Sequence, residues 1–251
     1  MKRFISNNIF LKLIGILILT IIWFVLSVLI GEGNFLIPSP IEVIGYIVRI
    51  LNESYIYKCI LYTSYRMIVG FIISFVLAFI LGIFAGNNSK IKVIFSPLIT
   101  VLKTIPTASL VYLFVLLSGI KNAPIYIVVL IALPINYESI CLGFESTEKE
   151  IVEASQIDGS SLINTIFKVK LPLALPYIFL GIKSSFALAF KVEIMAEVIT
   201  GSTSNGLGCA IVSAQRSDPT NMTPIFAYSL IAIVLMLIVD TLFSELKKNK
   251  L

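Results

Sequence analysis

The residues of this chain that could do chemistry are ionisable side chains set inside apolar runs: Lys103, Glu138, Lys183, Lys191, Glu193, Glu197 and Asp240. A charge in such a setting is expensive, so each needs a partner, an aqueous path or a route to the surface. Lys103 could snorkel to a membrane face and Asp240 could reach headgroups from near the end of its run. Glu193 and Glu197 are more informative, because a spacing of four places two carboxylates one turn apart on one helical face, with Lys191 nearby in sequence but not facing them. Such a pair could line or gate a pathway, relay protons or cations, or form internal ion pairs that fix helix packing. Other chemistry finds little footing. The chain has no histidine, and Cys59, Cys141 and Cys209 lack metal-ligand or redox spacing, which makes them small apolar residues. Gly201 to Gly206 has the outline of a phosphate loop, but Leu207 and Gly208 follow where Lys and then Ser or Thr would engage phosphate and magnesium. No catalytic residue, metal or cofactor is therefore expected, nor ATP hydrolysis by this chain itself.

The elements that must position these side chains are membrane spans. Of 251 residues, 58% are hydrophobic and only 13% charged, well below the quarter typical of soluble domains, so the chain is expected to be an all-α integral membrane protein. The period-two alternation of a membrane β-barrel is absent. Apolar runs predict six transmembrane helices at roughly Leu13–Ile30, Met67–Ala85, Phe95–Leu117, Pro124–Phe144, Leu173–Phe190 with an extension, and Ile225–Phe243. Pro106, Pro134 and Pro176 fall within or beside these runs, where each can kink a helix. The net charge of +5 forms no basic stripe for nucleic acid. It fits a cytoplasmic N-terminus instead. That orientation places Lys2, Arg3, Lys12, Lys90, Lys92, Lys149, Lys168, Lys170, Lys247, Lys248 and Lys250 inside, against the fewer Arg49, Lys58, Arg66, Lys121 and Arg216 outside. With no linker or repeat visible, the chain divides into an N-terminal span with an interfacial segment, 1–55, and a membrane domain, 56–246.

One polar-bearing stretch interrupts the apolar runs, from Glu153 to Pro172. Ile151, Val152, Ala154 and Ile157 recur at helical spacing, and Glu148, Glu150 and Glu153 sit early, where carboxylates suit the positive end of a helix dipole. Gly159 can take the positive φ that ends a helix, and Ser160 or Ser161 can cap a second. Leu162, Ile163, Ile166 and Phe167 form the apolar stripe of that second helix, and Pro172 is placed to begin the next. Two short helices joined by a tight elbow are expected.

The residues Glu153, Ala154, Gly159, Val169, Leu171 and Pro172 resemble the EAA loop of ABC-transporter permeases, with Ser155 where Ala is usual and Val169 where Ile is usual. FLIPSP with Val43, TSYRMIVGF, LGIFAG and SPLITVLKTIPTASL are similar to successive blocks of the nitrate, sulfonate and taurine permease subfamily. Ala196-Glu197 ahead of Gly206-Leu207-Gly208 resembles a further block of that family. The resemblance implies a six-helix type-I importer permease fold, non-catalytic, in a bacterial plasma membrane with both termini cytoplasmic. It implies that the loop 145–172 is a coupling element, with Glu153, Ala154, Ser155, Gly159, Leu171 and Pro172 engaging an ABC ATPase present in two copies. A second permease copy, as a homodimer, the surrounding lipid and an extracytoplasmic solute-binding protein complete the implied partners, for a small sulfonate-, nitrate- or taurine-like solute. Lys191, Glu193, Glu197, Gly206 and Gly208 are the pathway or gate candidates. The alternative is an ion-gradient-driven secondary transporter using the intramembrane carboxylates.

Overall fold

Long apolar runs can satisfy their backbone in a bilayer as helices, and every regular element among the described residues is helical. The structure is a computed structural model and describes residues 2–31, 36–201 and 205–250. Phe35 of the FLIPSP stretch, residues 202–204 of the glycine-flanked segment, and the side chains of Lys2, Arg3, Lys12, Lys247, Lys248 and Lys250 lie outside the described set.

The order is α1 (Lys2–Gly31), α2 (Pro40–Leu51), α3 (Ser54–Asn87), α4 (Ser89–Thr104), α5 (Thr107–Ser118), α6 (Ala123–Glu145), α7 (Lys149–Ile157), α8 (Leu162–Thr165), a π-helical turn (Ile166–Lys170), α9 (Leu171–Thr200), α10 (Leu207–Ser217) and α11 (Thr223–Lys250). Five stretches are long and apolar enough to cross a membrane: Leu13–Ile30, Ser54–Asn87, Ala123–Glu145, Leu162–Thr200 and Thr223–Phe243. The sixth, expected as one span over Phe95–Leu117, is instead the pair α4 and α5 bent by 97°. Pro106 accounts for the break. It offers no backbone donor and drives Ile105 out of the helical region, to ψ 128°. Pro134 and Pro176, by contrast, lie inside α6 and α9, which continue through them.

The centre of the bundle is α3, α6 and α9, packed through small residues. A Cβ added at Gly70, Gly82 or Gly86 of α3 would come within 2.9 Å of Val128, Ile140 or Phe144 of α6. Gly143 meets Ala174 in the same manner, and Gly181 of α9 packs directly on Ser139. Such contacts suit a bilayer, where helices associate by close packing and hydrogen bonds because lipid removes the hydrophobic incentive. One of those hydrogen bonds is wholly buried: Ser185 of α9 donates to Asn136 Oδ1 of α6 at 2.7 Å.

The segment expected at the membrane interface contains α2. Ser39 and Glu42 form a reciprocal capping box, Pro40 opens the first turn, and Val43 and Ile50 are buried while Ile41, Ile44 and Val48 are exposed. α1 stands at the periphery with most of its apolar side chains exposed. Its Trp23 stacks on Phe226 of α11 and donates to the Pro38 carbonyl at 3.1 Å.

Candidate functional site: the elbow and the buried carboxylates

The elbow forms as its residues dictate. The turn that follows α7 is made at Gly159, whose φ of +79° only glycine adopts cheaply, and the Ser160 amide donates back to the Ser155 carbonyl at 3.1 Å. Ser161, rather than Ser160, caps the next helix, its Oγ accepting from the Asn164 amide at 3.3 Å. The hydroxyls of Ser155 and the buried Thr165 lie 3.2 Å apart and fasten the two arms together. The second arm is not a separate short helix. It runs through the π turn straight into α9, so Leu162–Thr200 is one continuous element. Within that turn the Leu171 amide reaches back five residues to the Ile166 carbonyl. This widening is what Pro172 requires, since its ring would collide with the Lys168 carbonyl in a regular helix.

Glu153, Ala154 and Gly159 are exposed, Ser155 and Leu171 are half-buried, and Pro172 is exposed at the foot of α9. Around them the elbow presents Ile157, Leu162, Ile163 and Phe167 to the outside, Ile157 at 85% exposure. Lys170 fixes the elbow to the bundle by donating to Asn87 Oδ1 at the end of α3, 2.8 Å away.

The second cluster lies at the opposite end of α9. Glu193 and Glu197 are both fully buried. The Glu197 carboxylate accepts from Thr63 Oγ1 at 2.9 and 3.0 Å, from Arg66 Nη1 at 2.8 Å and from the Gly208 amide at 2.9 Å. Thr63 Oγ1 in turn accepts from the Leu207 amide at 2.8 Å, and Arg66 Nη1 also donates to the Asn205 carbonyl at 3.1 Å. α3, α9 and the start of α10 thus meet on one carboxylate, which also faces the positive end of the α10 dipole. Gly206 packs against the carboxylate itself and Gly208 against the α9 backbone, where side chains would not fit. Neither oxygen of Glu193 has a hydrogen-bond partner among the described residues. Lys191 points elsewhere, exposed beside an apolar groove between α9 and α11.

Sequence spacing did not reach Thr63 and Arg66. Arg66 was expected outside the membrane, ahead of a span starting at Met67, yet it is buried within a longer α3. The other intramembrane charges also pair: Lys103 with Glu138 at 2.8 Å, and Lys183 with Asp240 at 3.0 Å, where snorkelling alone was expected for Lys103 and Asp240.

Comparison with known proteins places these features. The family of binding-protein-dependent transport system inner membrane components matches residues 78–248, over half the chain and including the elbow and both glutamates. A putative aliphatic sulfonates transport permease of Bacillus subtilis is 26% identical over 92% of this chain and 82% of its own length. A riboflavin transport system permease of Chloroflexus aurantiacus is 27% identical over 90% of this chain and 84% of its own. Among solved structures, the MetNI methionine ABC transporter in inward-facing conformations superposes with a TM-score of 0.69 at 16% identity, covering 78% of this chain and 96% of that one.

Proposed function

This chain belongs to the family of binding-protein-dependent transport system inner membrane components and is an ABC-importer permease, a multi-pass membrane protein, and from that premise we propose how it works. Two copies form the pathway in the plasma membrane, with both termini cytoplasmic. Each copy presents its elbow to one ATPase subunit, and an extracytoplasmic binding protein delivers the solute to the opposite face. The membrane domain that does this spans 56–246.

The observation that carries the reading is the elbow: a glycine-determined turn with exposed apolar residues, continuous with the bundle's central helix α9. Ile157, Leu162, Ile163 and Phe167 fill a groove on the ATPase, Glu153 adds a charge-assisted contact, Ala154 and Ser155 keep the first arm slim, and Gly159 sets the angle. Leu171 and Pro172 carry the second arm into α9. ATP binding draws the two elbows together and moves α9 with them. Lys191, Glu193, Glu197, Gly206 and Gly208 belong to the far end of the pathway, where Glu197 holds α10 in place. The solute is a small polar molecule of the sulfonate, nitrate or taurine kind. The B. subtilis relative, named for aliphatic sulfonates, supports that class, while the riboflavin and methionine systems show how widely solutes vary among similar permeases.

The test is detergent co-purification of the cognate ATPase with wild-type permease, Gly159→Pro and Glu153→Lys. Proline cannot adopt the φ of +79° at 159, so that variant is expected to lose capture while still inserting in the membrane, and Glu153→Lys to weaken it. Equal capture by all three would remove the elbow as the docking site.

A further inference from the structure

We infer that α2 lies in the bilayer surface on the side opposite the elbow, with Ile41, Ile44, Val48 and Leu51 seated among the acyl chains of that leaflet. The elbow is fastened to the end of α3 at Asn87, whereas α2 precedes the other end of that helix, at Ser54.

The helix divides into three stripes. Val43 and Ile50 are buried and Tyr46 and Ile47 partly so, and Ile50, Tyr46 and Ile47 join the apolar core that holds Leu207 and Ala210 of α10 and Tyr228 of α11. Glu42 and Arg49 form an exposed polar stripe on one flank of that face. Ile41, Ile44, Val48 and Leu51 form an exposed apolar stripe on the other flank, Ile41 at 73% exposure. A helix surrounded by water gains nothing from the apolar stripe. A helix lying beside a bundle at a bilayer surface needs both, one flank for water and one for hydrocarbon.

Two further observations select lipid as what covers the stripe. The first is depth. Trp23, which donates to the Pro38 carbonyl and stacks on Phe226, lies with Phe226 inside the apolar spans Leu13–Ile30 and Thr223–Phe243. It stands eight residues before the end of α1 at Gly31, about 12 Å at helical rise, so the chain has returned to span depth before α2 begins. The second is the state of the helix ends. The last four carbonyls of a helix have no partner within it and ordinarily turn to water. In α2 protein groups answer all four: Asn52 Nδ2 donates to Val48 at 3.0 Å, the Asn52 amide to Arg49 at 3.2 Å, the Glu53 amide to Ile50 at 3.0 Å and the Tyr57 hydroxyl to Leu51 at 2.9 Å. At the other end the capping box answers the Ser39 and Glu42 amides, and Pro40 has none to answer. A helix closed in this way can lie where water is scarce. Trp23, Tyr55 and Tyr57 beside it are of the kind that gathers at the membrane–water boundary.

The experiment uses the full-length permease in lipid nanodiscs, with Cys59, Cys141 and Cys209 replaced by alanine and a single new thiol from Ile44→Cys, Val48→Cys or Arg49→Cys. All three positions are exposed, so none of these changes removes a packed side chain. Each thiol carries an environment-sensitive nitrobenzoxadiazole label, which is challenged with iodide in the water and with phospholipids bearing a nitroxide near the headgroup or at the chain end. Labels at 44 and 48 are expected to emit at shorter wavelength than the label at 49. They should lose most of their emission to the nitroxide near the headgroup, less to the one at the chain end, and keep it against iodide, while the label at 49 is quenched by iodide. Iodide quenching of 44 and 48 equal to that of 49 would return the stripe to solvent and overturn the assignment. Shielding of 44 and 48 from both iodide and lipid nitroxides would overturn it as well, by showing that a protein surface, such as a second copy, covers the stripe. Neither the ATPase nor a solute is present, so the outcome is independent of the elbow reading.

Discussion

At the scale of single residues, the most consequential group is the Glu197 carboxylate, because the Thr63 hydroxyl, the Arg66 guanidinium and the Gly208 amide all converge on it in a fully buried position. An ion pair of this kind adds little net stability over an apolar substitute, yet removing one member strands the other. Arg66→Ala is therefore expected to destabilise the permease by about 3–5 kcal/mol, read as a fall in thermal unfolding temperature in detergent. A double-mutant cycle with Glu197→Ala should show strong coupling, and additive losses would mean that the two side chains do not act as a pair. Glu193 is the opposite case, a buried carboxyl without a hydrogen bond among the described residues. Replacing it by methionine should raise stability by about 1–3 kcal/mol, the usual penalty for such a group. A drop instead would show that the carboxyl has a partner supplied by the assembled transporter. The spacing of Glu193 and Glu197 made them visible in the sequence as neighbours on one face. Arg66 was not visible, because it lies 131 residues from Glu197 and local periodicity carries no information at that range.

At the scale of elements, the sequence was most legible where one residue type forces one backbone shape. Gly159, Ser160 or Ser161, and Pro172 marked the turn, the cap and the foot of α9, with Ser161 making the cap in the structure. It was least legible where helix continuity was at stake. Hydropathy alone could not tell that Phe95–Leu117 is two helices, because α4 and α5 are apolar on both sides of Pro106. Nor could it tell that the second arm of the elbow and the fifth span are one helix, since a π turn absorbs a proline that would otherwise mark a boundary. If Pro106 sets the bend, Pro106→Ala should relax it. Spin labels on exposed Val93 and Leu116 are then expected to move from about 23 Å apart to as much as about 35 Å, taking 1.5 Å of rise per residue along each arm. An unchanged distance would show that packing of α4 and α5 on α6 holds the angle.

At the scale of the whole molecule, the exposed surface is unusual in carrying charge at membrane depth. Lys103 with Glu138 and Lys183 with Asp240 are partly exposed on different helix pairs, although their pairing lowers the cost of being there. The apolar, all-helical character of the described elements followed from composition and run length. The interlocking of α3, α6 and α9 did not, because a glycine in an apolar run reads the same whether it faces lipid or another helix. That packing gives a prediction: Gly82→Leu should prevent α3 from seating on Ile140 and collapse the purified yield of folded protein, whereas Gly45→Leu, on the open side of α2, should not. Equal yields would mean that the α3–α6 contact is looser than its geometry. The same close contacts bear on the helix that runs through the elbow. Leu162–Thr200 is a rod of 39 residues, and Gly181, where it rests on Ser139, stands midway along it. In the proposed cycle a displacement of the elbow is therefore carried to the Glu197 end along one unbroken helix, with the Gly181–Ser139 contact equally far from both ends.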